Sequence, residues 1–213
     1  GLAVHEALPP EIRRQVIWIG SRRGMEGEMV RSRGIPFYHV PTGKLRRYFD
    51  FQNVVDAFRV LAGILAAFVL LKKLDGKAVF SKGGFVAVPV VIAAWMRGIP
   101  VIIHDSDADP GLATRITARF ARVICVAYAE TAGCFPDKWQ SRVAVTGNPV
   151  RSAFFTANPE GALSAIGLKD SNLPVVLVTG GSSGARQLND WVDRTIARLS
   201  GIAVVVHQTG ELE

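Results

Sequence analysis

Short apolar runs alternate with longer helical stretches along the whole chain, and this alternation constrains the fold more than any other feature. Each run is three to six residues long and rich in β-branched or other apolar side chains, which is typical of strands buried on both faces of a sheet. The predicted strands cover residues 15–20, 36–40, 78–80, 100–104, 122–127, 142–146, 174–179 and 203–207.

Helical stretches separate these runs, at residues 25–33, 51–74, 86–97, 112–120 and 185–199. Gly34-Ile35-Pro36 and Gly98-Ile99-Pro100 each place a glycine where a helix ends and a proline where the next strand begins. Regular alternation of this kind predicts the α/β class, with doubly wound, Rossmann-like parallel sheets covered by helices on both faces.

A domain boundary is predicted at residues 151–173, a polar stretch of small residues that contains Asn158-Pro159. Residues 1–150 then form an N-terminal Rossmann-like domain, 151–173 a linker, and 174–213 the start of a second Rossmann-like domain. About forty residues are too few to bury a core by themselves, so we expect the second domain to be truncated.

The charge balance favours anionic partners. Lysine and arginine number 25 against 18 acidic residues, a formal charge of +7, which suits nucleic acid, anionic lipid or phosphorylated substrates without choosing among them. Cys125 and Cys134 are too few for a disulfide framework or a four-cysteine zinc site. Cys125 lies in an apolar run, which predicts a buried strand residue in a protein of a reducing compartment.

Two glycine-rich turns stand between a predicted strand and a helix. The first is Gly180-Gly181-Ser182-Ser183-Gly184-Ala185-Arg186. Its flexible glycines, its serine hydroxyls and the helix N-terminus suit a phosphate, but a tight strand-to-helix turn would have a similar sequence. The second is Lys82-Gly83-Gly84-Phe85, which is either a diphosphate contact through its lysine or a crowded structural turn with an exposed lysine.

Two further turns carry charge. Asp105, Asp107 and Asp109 follow a strand, where capping of the next helix is favoured over substrate contact, and substrate contact over a metal site. Arg151 follows the string Thr146-Gly147-Asn148-Pro149-Val150 and is either a surface residue or a partner for a phosphate or carboxylate.

Residues 60–71 are entirely uncharged, with Arg46 and Arg47 before them and Lys72 and Lys73 after them. Twelve residues are too few to span a bilayer. The segment is therefore either a core helix or a helix that lies on an anionic membrane. His5, His39 and His207 stand alone in the sequence, and we expect each of them to be structural.

Taken in order, these segments resemble the MurG family, glycosyltransferases that add N-acetylglucosamine to undecaprenyl-diphosphate-linked muramoyl-peptide. The likeness runs along almost the whole chain and rests on the order and spacing of several strings. These are Trp18-Ile19-Gly20, Lys82-Gly83-Gly84-Phe85-Val86, Gly98-Ile99-Pro100-Val101, His104-Asp105, Gly147-Asn148-Pro149-Val150-Arg151 and Gly180 to Arg186. Residues 1–8 resemble the helix that follows the family's first glycine-rich loop.

The resemblance implies a GT-B fold and an inverting, metal-independent transfer that needs no cofactor. UDP-N-acetylglucosamine would be the donor, bound by Arg151, Ser182, Asp107, Gly181 and Ser183. The diphosphate of the lipid-linked acceptor would meet Lys82, Gly83 and Gly84. The membrane patch would comprise Arg46, Arg47, Ile64, Leu65, Phe68, Lys72 and Lys73. The enzyme would then sit peripherally on the cytoplasmic face of an anionic membrane and bind no nucleic acid.

The sequence departs from the family pattern in ways that bear on catalysis. The family's first glycine-rich loop, which carries its candidate general base, has no counterpart, so no catalytic residue is assigned. Asp105-Ser106-Asp107 stands where the family commonly has Glu-Gln-Asn, and most of the uridine pocket would lie beyond Glu213. We therefore expect the chain alone to be inactive. The alternatives are a GT-B enzyme for another lipid acceptor and a non-catalytic subunit of a split glycosyltransferase.

Overall fold

The protein, seen in a computed structural model, is described at residues 1–22, 26–43, 52–168, 172–180 and 184–210. The chain forms two compact units, Gly1–Ser152 and Ala153–Glu213. The division falls at the start of the predicted linker, and each unit is a set of parallel strands joined by helices.

Unit 1 contains two parallel sheets within its described residues. A two-stranded sheet pairs β1 (Trp18–Gly20) with β2 (Phe37–His39), in the register Ile19 to Tyr38. A four-stranded sheet has the order β3-β4-β5-β6, comprising Val79–Ser81, Val101–Asp105, Val123–Val126 and Val143–Val145. Parallel pairing throughout confirms the predicted α/β class.

The helices of unit 1 lie before the first strand or between successive strands along the chain. They are α1 (Leu2–Ala7), α2 (Pro10–Arg13), α3 (Glu26–Arg31), α4 (Gln52–Lys73), α5 (Ala87–Met96), α6 (Leu112–Thr117), α7 (Ala129–Ala132) and a 3-10 helix at Asp137–Arg142. The core joins Val91 of α5 and Ala67 of α4 to Ile103 and Ile124 of the central strands. Helices α2 and α7 escaped prediction because four residues are too short to display a helical period.

Unit 2 begins near a 3-10 turn at Ser152–Phe154 and contains α8 (Pro159–Ala165), β7 (Val175–Thr179), α9 (Arg186–Leu199) and β8 (Val204–Gln208). The two strands pair in parallel over their full length. Helix α8 lies within the stretch that the sequence predicted as a linker, where Asn158 accepts a hydrogen bond from the Gly161 amide at 3.3 Å.

Strands β3 and β4 each extend one residue further than predicted, to Ser81 and Asp105. Both residues are polar and both are buried. The Ser81 hydroxyl accepts a hydrogen bond from the Gly83 amide at 3.2 Å, and Asp105 Oδ1 accepts one from the Asp107 amide at 2.9 Å. These bonds satisfy the buried oxygens, so strand pairing continues past the apolar run.

Helix α4 packs closely at Gly63. A Cβ added there would overlap the Pro41 carbonyl oxygen and approach Pro89 Cβ of α5 to 3.1 Å. Elsewhere in a helix, a change from glycine to alanine gains about 1 kcal/mol of helix propensity. Here the obstacle is a backbone carbonyl, which cannot move aside as the end of a flexible side chain can.

We therefore predict that Gly63→Ala lowers the free energy of unfolding by about 1–3 kcal/mol, the usual cost of overpacking. Urea denaturation followed by circular dichroism measures the change. Ala62→Gly, at the exposed neighbouring position, is the control and loses only the propensity term of about 1 kcal/mol. A Gly63→Ala protein more stable than the parent would contradict this packing of α4.

Candidate functional site

The turns after β3, β4 and β6 meet at the carboxyl edge of the four-stranded sheet. Asp105 pairs with Val126, so β4 and β5 end level, while β3 ends at Ser81, opposite Ile103 and two residues before the end of β4. Gly83 and Gly84 follow β3 with φ of 86° and 81°, a left-handed conformation that other residues adopt only under strain. Ligands of open α/β sheets bind at this edge, and the chemistry-bearing residues of unit 1 converge there.

Lys82 extends from the first of these turns across to the second. Its Nζ donates a hydrogen bond to His104 Nδ1 at 2.9 Å and another to the Ser106 hydroxyl. The side chain is half-buried. Burial lowers the pKa of the Lys82 ammonium below its ordinary value, while the negative charges of Asp105 and Asp107 oppose that shift.

His104 connects Lys82 to the third turn. The ring is buried, with 4% of its surface exposed, and its Nε2 lies 2.9 Å from the Gly147 carbonyl oxygen. A carbonyl oxygen only accepts, so Nε2 carries the proton and donates it. Because Nδ1 faces an ammonium, which only donates, Nδ1 holds a lone pair. His104 is therefore neutral, in the Nε2–H tautomer.

The aspartates of the second turn do not cap helix α6. Gly111 occupies the N-cap position without a side-chain hydrogen bond. The Asp109 carboxylate instead accepts from Arg115 Nη2 at 2.7 Å. The capping prediction for Asp109 is thus wrong, because the arginine one turn into the helix offers a charged donor.

Asp107 is exposed to solvent in this turn. Its backbone carbonyl accepts a hydrogen bond from the Thr131 hydroxyl at 3.1 Å, which ties the turn to α7. Among the described residues, no group of three histidine, cysteine, aspartate or glutamate side chains is arranged to hold a metal ion.

The turn after β6 lies beside the second turn. Gly147 has a φ of 72°, and the Asn148 amide donates to the Ser106 carbonyl at 3.4 Å. Arg151 is exposed, and its Nε lies 3.6 Å from a carboxylate oxygen of Glu6 in helix α1. Arg151 therefore stands apart from the Lys82 and His104 contacts, held near α1 by an exposed ion pair.

The predicted donor turn belongs to unit 2. Gly181, Ser182 and Ser183 lie outside the described residues. On their C-terminal side, Gly184 has a φ of 75°, and a Cβ there would overlap the Thr209 carbonyl oxygen. Asn189 of α9 donates to that same carbonyl at 2.9 Å. Glycine is thus required where the strand-to-helix turn passes the end of β8.

Helix α4 presents an apolar outer face. Leu65 and Val69 are 68% and 65% exposed, and they continue a line that begins at Phe58 and Leu61, both also exposed. The spacing of three, four and four residues places these four side chains, the outer stripe, along one side of the helix. Such a stripe is unusual on a surface that faces only water.

Part of the predicted membrane patch needs correction. Ile64 and Phe68 are only partly exposed and pack against the core, because they lie on the side of α4 that faces α5. Phe68 is also covered by the Arg97 guanidinium, 5.1 Å from its ring centre. Leu71 is buried, with 3% exposed, while Lys72 and Lys73 are exposed. Arg46 and Arg47 lie outside the described residues.

No helix in the described ranges combines the length and the hydrophobicity that crossing a bilayer requires.

Sequence reasoning missed the contacts of His104, Ser106 and the Gly147 carbonyl. These residues are separated by 43 positions at most in sequence and meet only through strand pairing. One signal was available. A histidine inside an otherwise apolar strand must find hydrogen-bond partners when it is buried, which marks His104 as a member of a polar cluster.

Three relatives cover nearly the whole chain, and all are named UDP-N-acetylglucosamine--N-acetylmuramyl-(pentapeptide) pyrophosphoryl-undecaprenol N-acetylglucosamine transferase. The protein of Treponema denticola is 49% identical over 99% of this chain and 56% of its own length. That of Treponema pallidum is 46% identical over 99% and 54%. A Bacillus cereus protein, numbered 2, is 40% identical over 96% and 58%. The chain thus spans little more than half the length of these relatives.

Solved structures agree. A crystal structure of MurG from Acinetobacter baumannii matches with a TM-score of 0.63 and 29% identity, over 99% of this chain and 54% of that one. Staphylococcus aureus MnaA with UDP matches with a TM-score of 0.58 over 91% of this chain and 54% of that one, but at 12% identity the likeness is one of fold alone.

The family itself is established by a sequence model that covers more than half of the chain. The Glycosyltransferase family 28 N-terminal domain matches residues 1–126, which include β1 to β5, with His104 in β4, and the turn that carries Lys82. This match and the relatives confirm the resemblance that the motifs predicted, and the chain belongs to glycosyltransferase family 28.

Proposed function

We propose that this protein, as part of a complete enzyme, transfers N-acetylglucosamine from UDP-N-acetylglucosamine to an undecaprenyl-diphosphate-linked muramoyl-peptide. The names of relatives 40–49% identical to the chain support the donor and acceptor. The observation that carries the proposal is the Lys82, His104 and Ser106 cluster beside the Gly83-Gly84 turn, because a cation next to a glycine turn suits a diphosphate.

Unit 1 would bind the diphosphate of the acceptor. Lys82 supplies a positive charge at the carboxyl edge of the sheet, and its ammonium has three donors. The Gly83-Gly84 turn has no side chain to hold an oxyanion away from its backbone, and of its two N–H groups that of Gly83 already donates to the Ser81 hydroxyl. A cation beside a glycine turn is the combination that suits a diphosphate, since both charge and close backbone approach are supplied.

Unit 2 would bind the nucleotide sugar through the turn that contains Gly181, Ser182 and Ser183. This turn leads from β7 into helix α9, whose N-terminus is the positive end of the helix dipole and so favours a phosphate. The family resemblance also proposes two residues of unit 1 as donor ligands: the planar, permanently charged guanidinium of Arg151 suits a phosphate, and the Asp107 carboxylate can accept from a sugar hydroxyl or amide.

In the proposed reaction, an acceptor hydroxyl attacks the anomeric carbon of the donor in one displacement. The new bond forms between that oxygen and carbon, while the bond to the UDP oxygen breaks and UDP leaves with the electron pair. The configuration inverts, and the hydroxyl proton passes to a general base that is not assigned. Helix N-termini and loop N–H groups would stabilise the departing diphosphate in place of a metal ion.

We also propose that α4 attaches the enzyme peripherally to the cytoplasmic face of the membrane, where the lipid acceptor is found. The outer stripe of Phe58, Leu61, Leu65 and Val69 would enter the interface, since these side chains are exposed and contiguous. Lys72 and Lys73 at the end of the helix, with Arg46 and Arg47, would meet anionic headgroups. The same surface would then hold unit 1 close to its substrate.

For the acceptor site, we predict that Lys82→Met raises the acceptor KM of the complete gene product about tenfold or more, with the donor KM unchanged. Steady-state kinetics with both substrates varied measures this. Lys77→Met is the matched control, because Lys77 is an exposed lysine before the opposite end of β3 and pairs with Asp75. An unchanged acceptor KM in Lys82→Met would remove the lysine from the site.

The lowered pKa of Lys82 gives a pH dependence with a defined sign. The ammonium is present below its pKa and is lost as the pH rises through it, so acceptor affinity should fall at a lower pH than an ordinary lysine would allow. Lys82→Arg should abolish that fall, since a guanidinium stays charged. The test is the acceptor KM of the parent and of Lys82→Arg, measured from neutral to alkaline pH. Parallel profiles would contradict a role for the Lys82 ammonium in acceptor binding.

For the donor site, we predict that Arg151→Ala and Ser182→Ala each raise the donor KM about tenfold or more, because each removes a hydrogen bond to a charged group. Arg119→Ala, at an exposed arginine near the end of α6, should leave it unchanged. If both variants keep the donor KM of the parent, neither residue binds the nucleotide sugar. The same enzyme assayed on other lipid acceptors separates this proposal from a GT-B enzyme of different specificity.

For the membrane surface, replacement of Arg46, Arg47, Lys72 and Lys73 with glutamine should weaken binding to anionic vesicles by more than about tenfold. Each basic residue contributes about 1 kcal/mol near such a surface, an attraction that high salt screens. Leu65→Ser with Val69→Ser should also weaken binding, whereas Ile12→Ser, at an exposed position on α2, should not. Binding is measured by vesicle co-sedimentation. If both sets of variants bind anionic vesicles as the parent does, α4 has no role in membrane binding.

A further inference from the structure

We propose that His104 is a positioning residue that aims the Lys82 ammonium at a bound diphosphate, through a neutral ring whose tautomer is set by the Gly147 carbonyl. The inference rests on the proposed function, because it deepens the diphosphate site of unit 1. His104 itself is buried beneath the edge and acts through the lysine, so its role is distinct from catalysis.

A neutral partner is what an anion site requires. A carboxylate bonded to Lys82 would hold the ammonium in place but cancel its charge, and a ligand phosphate would have to displace it. An imidazole lone pair holds the ammonium without cancelling the charge. The Asp105 carboxylate, which is nearby, has its Oδ1 occupied by the Asp107 amide at 2.9 Å.

The Lys82 ammonium has an N–H group to spare for a ligand. The Lys82 ammonium has three N–H groups, and among the described residues His104 Nδ1 and the Ser106 hydroxyl accept two of them. One donor remains for a phosphate oxygen. Because two acceptors already restrict a flexible four-carbon side chain, less rotamer freedom is lost when the ligand binds.

The Gly147 carbonyl determines which nitrogen faces the lysine. If Nδ1 carried the proton, two donors would face each other across 2.9 Å and the Lys82 contact would break. The bond from Nε2 to Gly147 excludes that tautomer. The turn after β6 thereby determines, through the His104 ring, where the Lys82 ammonium of the turn after β3 is held.

Two substitutions separate the contacts of the ring. In His104→Asn, the amide oxygen stands near the place of Nδ1, so an acceptor for Lys82 is kept and the Gly147 contact is lost. In His104→Gln, the longer side chain puts its amide near the place of Nε2, so the donor to Gly147 is kept and the Lys82 contact is lost. Each variant leaves one buried contact unmade, which makes the two a matched pair.

The experiment measures the affinity of the protein for inorganic pyrophosphate by calorimetry, in buffer free of divalent cations. We expect His104→Asn to bind within about twofold of the parent, and His104→Gln and Lys82→Met to bind about fivefold or more weakly. The double variant Lys82→Met/His104→Gln should bind no more weakly than Lys82→Met alone, because the two residues act through one contact.

The outcomes distinguish this inference from the proposed function. A parent protein that fails to bind pyrophosphate overturns the diphosphate site and the positioning role together. If the parent binds and Lys82→Met is weakened, but His104→Gln binds as the parent does, the site stands and the positioning role falls. Equal losses in His104→Asn and His104→Gln, with a further loss in the double variant, would also overturn it, because His104 would then act without Lys82.

A second measurement keeps the inference testable if His104→Gln does not fold. Long-range nitrogen–proton NMR of the parent protein reports which ring nitrogen of His104 carries the proton. The expected spectrum shows a protonated Nε2 and an unprotonated Nδ1. A proton on Nδ1 would overturn the inference, since that tautomer cannot accept from Lys82.

Discussion

Parallel pairing of the strands is the constraint on which the rest of unit 1 depends. Because β3, β4, β5 and β6 all run in one direction, the turns that follow them share one edge of the sheet. The register between β4 and β5, Asp105 opposite Val126, keeps those ends level. Lys82 and Gly147, far apart in sequence, thereby come within hydrogen-bonding distance of the His104 ring. An antiparallel sheet would have distributed them between two edges.

The polar cluster at that edge combines burial of the His104 ring with hydrogen bonds to both of its nitrogens. His104 is buried and uses both ring nitrogens, while Lys82 remains half-buried with its charge directed to the edge. Burial lowers the pKa of the lysine, and the nearby aspartates limit that effect. The arrangement is suited to an anion, because it presents an ammonium whose partners are a neutral ring and a hydroxyl.

Helix α4 shows how one apolar segment can serve two surfaces. Its inner side, with Ala67 and Leu71, packs into the core, and Gly63 allows close approach to Pro41 and α5. Its outer side carries the stripe from Phe58 to Val69. A helix apolar all round is expected where both sides meet apolar surroundings, and the proposed lipid interface on the outer side of α4 would meet that condition.

The sequence by itself determined the α/β class, the order of the strands along the chain, the family and the turns that carry Lys82 and the glycines. These follow from local properties, namely periodicity, helix-ending glycines and short strings. It did not determine strand ends at Ser81 and Asp105, the role of Asp109, or which residues of α4 face outward. Only the tertiary structure decided these, and the meeting of His104 with Lys82 and Gly147. Each depends on partners distant in sequence, whose positions follow from strand register and helix packing, and no local pattern records them.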